Sequence, residues 1–207
     1  MPWKKLVDDS KHRSVTSNVL SAELVRKGIH ALIALEPSLA AWDRSLTALF
    51  LMCGILFYTW AESLRFLGFS PPLFSSVTAA VLREREKGFF ALGPVTLGLG
   101  ALLTLLVFPP TIAAAAIYAL AFGDSAATLV GKFLGRLRPA FLSGKSLEGS
   151  LACFAATALT GYIVFQDWKT AFIMGLVSML VDALPFKDFD NLFLPLAAGL
   201  SILITKL

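Results

Sequence analysis

This chain contains little charge and little cysteine, and each scarcity excludes a class of protein. Charged residues make up 15% of its 207 positions, whereas soluble domains carry about 25%. The two cysteines, Cys53 and Cys153, both lie inside apolar stretches, so we expect buried free thiols rather than a disulfide framework or a zinc site. The N-terminal region is polar and lacks the apolar core of a secretory leader, so we expect no cleaved signal peptide.

The chain also lacks a P-loop and an internal repeat. Gly144-Lys145-Ser146 matches the end of the G-x-x-x-x-G-K-S motif, but position 139 is proline where the motif needs its first glycine. Inverted or parallel repeats are common in transporters, and none is visible here. These absences count against a Walker A phosphate site and against a repeat-built transporter.

Long apolar runs are what the chain does contain. Its residues are 57% hydrophobic, and its mean hydropathy is +0.75. A membrane-spanning helix needs about 20 apolar residues. Apolar segments occur at about 24–41, 45–64, 92–108, 111–130, 147–165, 170–184 and 192–205. We therefore predict an all-α, polytopic integral membrane bundle of about seven transmembrane helices, in which a polar segment, 1–22, precedes a single domain, 23–207.

The basic residues predict the orientation of this bundle. With the N-terminus in the cytoplasm, fifteen of the eighteen lysines and arginines fall on the cytoplasmic side and three on the other. That asymmetry is the one expected of membrane proteins. It also explains the net charge of +4 without a nucleic-acid partner. We expect an integral membrane protein, of the inner membrane in a bacterium, whose charged loops share the cytoplasmic face.

The stretch 123–149 is the richest in chemistry, because it combines acids, bases and glycines at the end of an apolar run. Asp124 lies at membrane depth, where an ionised carboxylate costs about 2.5–3.5 kcal/mol on insertion scales, so it should be paired, hydrated or metal-bound. On a helix, Asp124, Thr128, Gly131 and Gly135 share one face. The alternative is an ordinary helix-packing face with one salt-bridged aspartate.

Lys145 and Ser146 precede another apolar run, so they mark the start of a helix. A helix N-terminus attracts anions, and Lys145 adds a positive charge. Ser146 and Glu148 are equally common as plain capping and first-turn residues. A phosphate site and a simple cap both remain open at this point.

Three further charged groups fall on the predicted cytoplasmic face. His30 shares helical faces with Arg26 and Lys27, and it is either a catalytic base, a phosphate donor or an interfacial side chain. Arg83 and Lys87 are four residues apart and would lie on one helical face, where they either contact phosphates or remain solvated. The last loop contains Asp182, Asp188, Asp190 and Asn191, which either share Mg²⁺ or cap helices.

Taken in order, these elements resemble a known family. The motifs are E-L-V-R-K-x-x-H at 23–30, R-E-x-E-K-G at 83–88, F-G-D-S-A-A-T-L-V-G-K-x-x-G at 122–135, G-K-S-L-E-G-S at 144–150 and D-x-D-N-x-x-x-P at 188–195. This set resembles the polyprenol kinase family, which includes dolichol kinase, phytol kinase and the CTP-dependent diacylglycerol kinase. A more remote similarity extends to CDP-diacylglycerol synthases, whose longer acidic signature is missing.

The resemblance implies phosphoryl transfer from a nucleoside triphosphate, often CTP, to a membrane lipid alcohol, with a divalent metal. Its charged positions correspond to Arg26, Lys27, Asp124, Lys132, Lys145, Glu148 and Asn191. One departure is Asp182, where related sequences are expected to carry glutamate, so its role stays open. Assembly into a homo-oligomer is also left open.

From the residues and the resemblance together we assign hypothetical roles. Catalytic roles go to Asp124, Glu148 and His30. Nucleotide and phosphate binding is assigned to Arg26, Lys27, Arg83, Lys87, Lys132, Lys145, Ser146 and Asn191. Mg²⁺ is assigned to Asp124, Glu148 and Asp190, with CTP as co-substrate.

Two other functions compete with a lipid kinase. A cytidylyltransferase would form a CDP-lipid and release pyrophosphate, whereas a kinase releases the nucleoside diphosphate. A small transporter or channel would need no chemistry, but it tends to carry its polar groups at mid-membrane. A lipid-binding scaffold with a decayed site is a third alternative, against which intact Asp124, Lys145 and Glu148 argue.

Overall fold

The computed structural model describes Leu24 and residues 26–69, 89–142 and 144–206, and within these it contains helices and turns but no strand. The all-α prediction is therefore confirmed for the described residues. The helices are α1 (26–31), α2 (Glu36–Trp42), α3 (Arg44–Phe66), α4 (Gly93–Val107), α5 (Pro110–Tyr118), α6 (Asp124–Phe133), α7 (Leu147–Phe165), α8 (Trp168–Ala183) and α9 (Asp190–Lys206).

Local sequence explains where several of these helices begin. Asp43, Ser146 and Asp167 are the N-caps of α3, α7 and α8, and each side chain accepts a hydrogen bond from a backbone N–H of the first turn. Such caps satisfy N–H groups that the helix itself leaves unpaired. Proline opens α2, α4 and α5, where its missing N–H costs nothing.

Four helical segments among the described residues are long and apolar enough to cross a membrane. They are Arg44–Phe66, Pro110–Phe133, Leu147–Phe165 and Lys187–Lys206. These are the spans of an integral membrane protein, but the predicted number of seven is not confirmed. Helices α4 and α8 have 15 and 16 residues, short of the roughly 20 that a bilayer needs.

The first predicted segment, 24–41, is not one continuous α-helix. A short 3₁₀-helix, Leu32–Leu35, separates α1 from α2, and α2 ends at Trp42 because Asp43 adopts an extended conformation as the cap of α3. Pro37 in the first turn of α2 lacks the N–H that a continuous helix would need there. The interruption places the charged residues of α1 on a separate short element.

Pro110–Phe133 is the central element of the bundle, and most of it is buried. Alanines on α5 let neighbouring helices approach closely, and α5, α8 and α9 contribute Ile117, Met174 and Leu194, which are fully buried. Helices α7, α8, α9, α4 and α3 pack in that order, each against the next. The core therefore surrounds the helix that leads to Asp124.

A π-helical turn, Ala119–Gly123, joins α5 to α6 immediately before Asp124. Such turns insert one residue into the helical spacing and are frequent at functional sites. A Cβ at Gly123 would lie 2.4 Å from the Thr157 methyl group on α7, so only glycine fits against that helix. The turn thus sets the direction in which Asp124 leaves the central element.

Candidate functional site

The candidate site is a cavity of about 580 Å³ that several elements border, among them α1, α4, α6, the start of α7 and the turn before α9. Six cationic and four carboxylate side chains line it. The cations are Arg26, Lys27, Lys132, Arg138, Lys145 and Lys187, and the carboxylates are Asp124, Asp182, Asp188 and Asp190. Positive charge therefore exceeds negative charge, which suits an anionic ligand.

Asp124 lies at the buried end of this cavity, with 7% of its surface exposed. Lys27 Nζ forms an ion pair with Asp124 Oδ2, and His30 Nε2 lies 3.1 Å from the same oxygen. The other oxygen, Oδ1, is 3.5 Å from Thr128 Oγ1. α1 therefore holds one oxygen of the carboxylate firmly and leaves the other more accessible.

His30 is buried and close to both charge and backbone. Its Nε2 also lies 3.3 Å from the Leu120 carbonyl oxygen. Burial lowers the pKa of His30, and the neighbouring Asp124 carboxylate only partly offsets that effect. The imidazole thus lies where it can orient the Asp124 carboxylate.

Lys145, just before α7, contacts two carboxylates, one from the end of α8 and one from the start of α9. Its Nζ donates to the Asp182 backbone carbonyl, and it lies 3.1 Å from Asp182 Oδ1 and 3.6 Å from Asp190 Oδ2. Burial would lower the pKa of Lys145, but the two carboxylates raise it above its usual value. Lys145 is therefore a permanent positive charge at the cavity.

Among the described residues, three carboxylates converge at this cavity. Asp124, Asp182 and Asp190 each offer an oxygen, and these oxygens all lie within 4.8 Å of one another. They come from α6, the end of α8 and the start of α9, so only the packing of three helices brings them together. Like charges at this distance repel, and Lys27 and Lys145 offset that repulsion.

Glu148 has a different place from the one assumed for a metal ligand. Its carboxylate accepts hydrogen bonds from the Arg136 N–H, at 3.0 Å, and from the Leu137 N–H, at 3.1 and 3.3 Å. It does not line the described cavity, and the group of three carboxylates contains Asp182 instead. In this structure Glu148 holds the loop between α6 and α7.

The other predicted site residues divide into two groups. Arg26, Lys132, Ser146 and Asn191 line the cavity, although Ser146 Oγ is occupied as the cap that accepts the Gly149 N–H. Asn191 donates to the Gly93 carbonyl at 3.3 Å and so joins α9 to α4. Arg83 and Lys87 lie outside the described residues.

Arg138 and Lys187 also line the cavity, and sequence reasoning assigned no role to either. The Arg138 guanidinium donates to the carbonyls of Gly144 and Gly131, at 2.7 and 2.9 Å. Arg138 lies in a loop and Lys187 begins a short 3₁₀-helix, Lys187–Phe189. Residue type alone does not show which way either side chain points. Their positive charge, next to glycines and aspartates, was the available signal.

Close packing of α6 on α7 sets the distance between Asp124 and Lys145. A Cβ at Gly149 would lie 2.7 Å from the Ala127 carbonyl oxygen and 3.1 Å from the Gly131 Cα. Real Cβ atoms essentially never approach backbone at 2.7 Å, so the helices would have to separate. Glycine is required here because two backbones meet.

Gly149→Ala is therefore expected to destabilise the protein by about 1–3 kcal/mol, the usual cost of overpacking. The measurement is thermal unfolding of the detergent-solubilised protein. Gly54→Ala on α3 is the matched control, since nothing lies within 4 Å of its Cβ position, and alanine favours helix there. Equal melting temperatures for the two variants would show that α6 and α7 are not closely packed.

Sequence similarity to known proteins is evidence separate from this geometry. No protein-family profile and no solved structure matches the chain. The chain is 31% identical over 98 residues to CTP-dependent diacylglycerol kinase 1 of Schizosaccharomyces pombe, covering 47% of this chain and 44% of that protein. It is 31% identical over 100 residues to CTP-dependent diacylglycerol kinase 1 of Eremothecium gossypii, covering 48% of this chain and 31% of that protein.

The chain thus spans less than half the length of the curated relatives that it matches. The match extends over about half of the chain's own residues, and it agrees with the family that the ordered motifs indicated. The resemblance to the family of polyprenol and CTP-dependent diacylglycerol kinases is therefore confirmed.

Proposed function

We propose that this protein is an integral membrane kinase that transfers the terminal phosphoryl group of CTP to the hydroxyl of a lipid alcohol. The observation that carries the proposal is the meeting of three carboxylates with Lys27 and Lys145 in one cationic cavity at the end of apolar helices. Both similar proteins are named as CTP-dependent diacylglycerol kinases. The acceptor we propose is diacylglycerol or a polyprenol, dolichol or phytol type of alcohol.

The proposed orientation places this cavity on the cytoplasmic side, where nucleoside triphosphates are available. Fifteen of the eighteen lysines and arginines fall on that side in the predicted topology, as the positive-inside rule requires. The ion pair of Lys206 with Asp167, at 3.2 Å, joins two residues that the same topology assigns to the other side. We propose residues 23–207 as one kinase domain.

The residues present fit a divalent cation. Asp124, Asp182 and Asp190 provide only oxygen donors within 4.8 Å of one another, and Mg²⁺ prefers oxygen ligands and keeps part of its water shell. These three carboxylates would hold the metal. A bound Mg²⁺ would neutralise negative charge on the phosphates during transfer.

The cations of the cavity would bind the triphosphate. Lys145 lies next to the first turn of α7, whose Gly149 and Ser150 border the cavity. The positive end of that helix and the Lys145 ammonium attract the same anion. Arg26, Lys132 and Arg138 add donors around it.

Asp124 would accept the proton of the lipid hydroxyl as the new O–P bond forms and CDP leaves. Lys27 and His30 contact its Oδ2, so Oδ1 is the oxygen that remains to face both the metal and the lipid hydroxyl. Phosphoryl transfer depends mainly on alignment and on charge stabilisation. The fixed carboxylate therefore contributes orientation as well as basicity.

Purified protein with CTP and a lipid alcohol in mixed micelles tests this function. We expect label from the γ-phosphate of CTP to appear in the lipid, with release of CDP, when Mg²⁺ is present. Diacylglycerol and a polyprenol are offered separately, and ATP is compared with CTP. Transfer of label from the α-phosphate, with release of pyrophosphate, would instead identify a cytidylyltransferase, and no transfer to any alcohol would refute the kinase.

A further inference from the structure

One fully buried carboxylate has no part in the chemistry proposed above. Glu62, in the last part of α3, has 0% of its surface exposed. Arg65 forms a two-pronged ion pair with it, through Nε to Oε2 at 2.7 Å and through a terminal nitrogen to Oε1 at 2.6 Å. Glu62 is fully buried and Arg65 is partly buried. Such an ion pair is seldom more stabilising than apolar packing of the same volume, so stability alone does not account for it.

The Glu62–Arg65 pair also contacts the backbone just before α4. Glu62 Oε1 accepts the Ala91 N–H at 2.8 Å, and the Arg65 guanidinium donates to the Phe89 carbonyl at 2.7 Å. The Tyr58 hydroxyl donates to the Ala91 carbonyl at 3.2 Å. Residues 58, 62 and 65 share one helical face, and together they satisfy three backbone groups of residues 89–91.

The two Ala91 backbone groups belong to the wall of the candidate site. Tyr58 and Ala91 line the same cavity as Asp124, and so do Gly93 and Leu97 from the start of α4. On its other side, the start of α4 is held by α9, because Asn191 donates to the Gly93 carbonyl. The chain between Phe89 and Leu97 is thus fixed between α3 and the turn that carries Asp190.

We propose that Glu62 and Arg65 are positioning residues, which fix the α3–α4 wall of the cavity so that bound CTP aligns with Asp124 and Lys145. This proposal rests on the proposed function. The two residues do not touch the reacting atoms; they act through the Ala91 backbone. Misplacement by about 1 Å at a distance from the chemistry can cost about 100-fold in rate, so a rigid wall has a large effect on alignment.

Arg44 provides a matched control, because it fastens the opposite end of the same two helices. At the start of α3, it donates to carbonyls at the end of α4, including that of Phe108 at 3.1 Å. It does not line the described cavity. Loss of Arg44 should therefore weaken α3–α4 packing without moving the cavity wall.

The experiment compares Glu62→Gln, Arg65→Lys and Arg44→Gln with the wild type. Arg65→Lys is the milder variant, since lysine keeps the charge but loses the fork that reaches both carboxylate oxygens. Amide hydrogen exchange across 89–98 is measured by mass spectrometry, and KM for CTP and kcat are measured separately. We expect Glu62→Gln and Arg65→Lys to speed exchange in 89–98 and to raise KM for CTP by about tenfold or more.

Arg44→Gln should lower the melting temperature without speeding exchange in 89–98 and without raising KM for CTP. Exchange and KM at wild-type values in both Glu62→Gln and Arg65→Lys would overturn the proposal, and so would equal effects in Arg44→Gln at matched stability. If the wild type transfers no phosphate, the proposed function fails, and the exchange data still decide whether Glu62 orders the cavity wall.

Discussion

Replacing Asp124 by asparagine is expected to lower phosphoryl transfer by about 10³-fold, within the range for loss of a positioned general base. Asparagine has nearly the same shape, but it cannot accept the hydroxyl proton or oppose the charge of Lys27. The measurement is the initial rate of labelled lipid formation by the purified variant at saturating CTP. A variant that retains half or more of the wild-type rate would contradict the role of Asp124.

Loss of folding must be separated from loss of chemistry in this variant. Asp124→Asn leaves the buried Lys27 ammonium without its carboxylate, and breaking a buried ion pair costs about 3–5 kcal/mol. The double variant Lys27→Met with Asp124→Asn removes both charges, so we expect it to recover most of the stability and none of the activity. A melting temperature that stays low in the double variant would show that the pair is not coupled.

Asp167→Asn is the matched control for Asp124→Asn. Asp167 is also a carboxylate in an ion pair with lysine, but it caps α8 and contacts Lys206, and it does not line the described cavity. Asparagine is an adequate N-cap, so we expect little change in stability and a wild-type rate of transfer.

Replacing Asp182 by asparagine is expected to raise the Mg²⁺ concentration needed for half-maximal activity. Loss of a ligand should cost at least as much as loss of an outer-shell partner, which is about 10–100-fold in metal affinity. Binding of Mn²⁺ to the protein without nucleotide, followed by electron paramagnetic resonance, checks the affinity independently of activity. Lys145 would also lose the Oδ1 charge that lies 3.1 Å away.

Glu148→Gln tests whether the Glu148 carboxylate binds the metal or only the backbone. The motifs assign Glu148 to the metal, whereas its carboxylate accepts N–H groups at residues 136 and 137. We expect Glu148→Gln to lower the melting temperature and to leave Mn²⁺ affinity unchanged. A weakened Mn²⁺ affinity in Glu148→Gln, with wild-type affinity in Asp182→Asn, would restore Glu148 as the ligand and remove Asp182.

Sequence reasoning predicted the convergence of Asp124, Lys145 and Asp190 for a physical reason. An ionised side chain next to an apolar run must leave the lipid, and the loops predicted for one membrane face have only that face in which to meet. The same reasoning cannot rank acids within the face. Glu148 and Asp182 lie equally close to apolar runs. Glu148 binds backbone N–H groups because the loop between α6 and α7 passes beside it, whereas the Asp182 carboxylate enters the cavity.

The number of spanning helices shows a second limit. Hydropathy reports how apolar a segment is, but it does not report where the backbone changes geometry. Segment 24–41 contains a 3₁₀-helix and a short α-helix, while 111–130 continues through a π-helical turn into α6. These breaks in helix geometry depend on how neighbouring helices pack. Their result is that Lys27 and Asp124 lie against each other.

The sequence by itself determined that the chain is helical, that its helices are apolar enough for a membrane, and which charged residues need partners. These properties follow from local composition, from helix caps and from the cost of charge in lipid. Only the tertiary structure decided which carboxylates share one cavity and that Glu62 and Arg65 hold its wall. Those outcomes depend on contacts between residues up to about a hundred positions apart, such as Lys27 with Asp124, and such contacts exist only after the helices have packed.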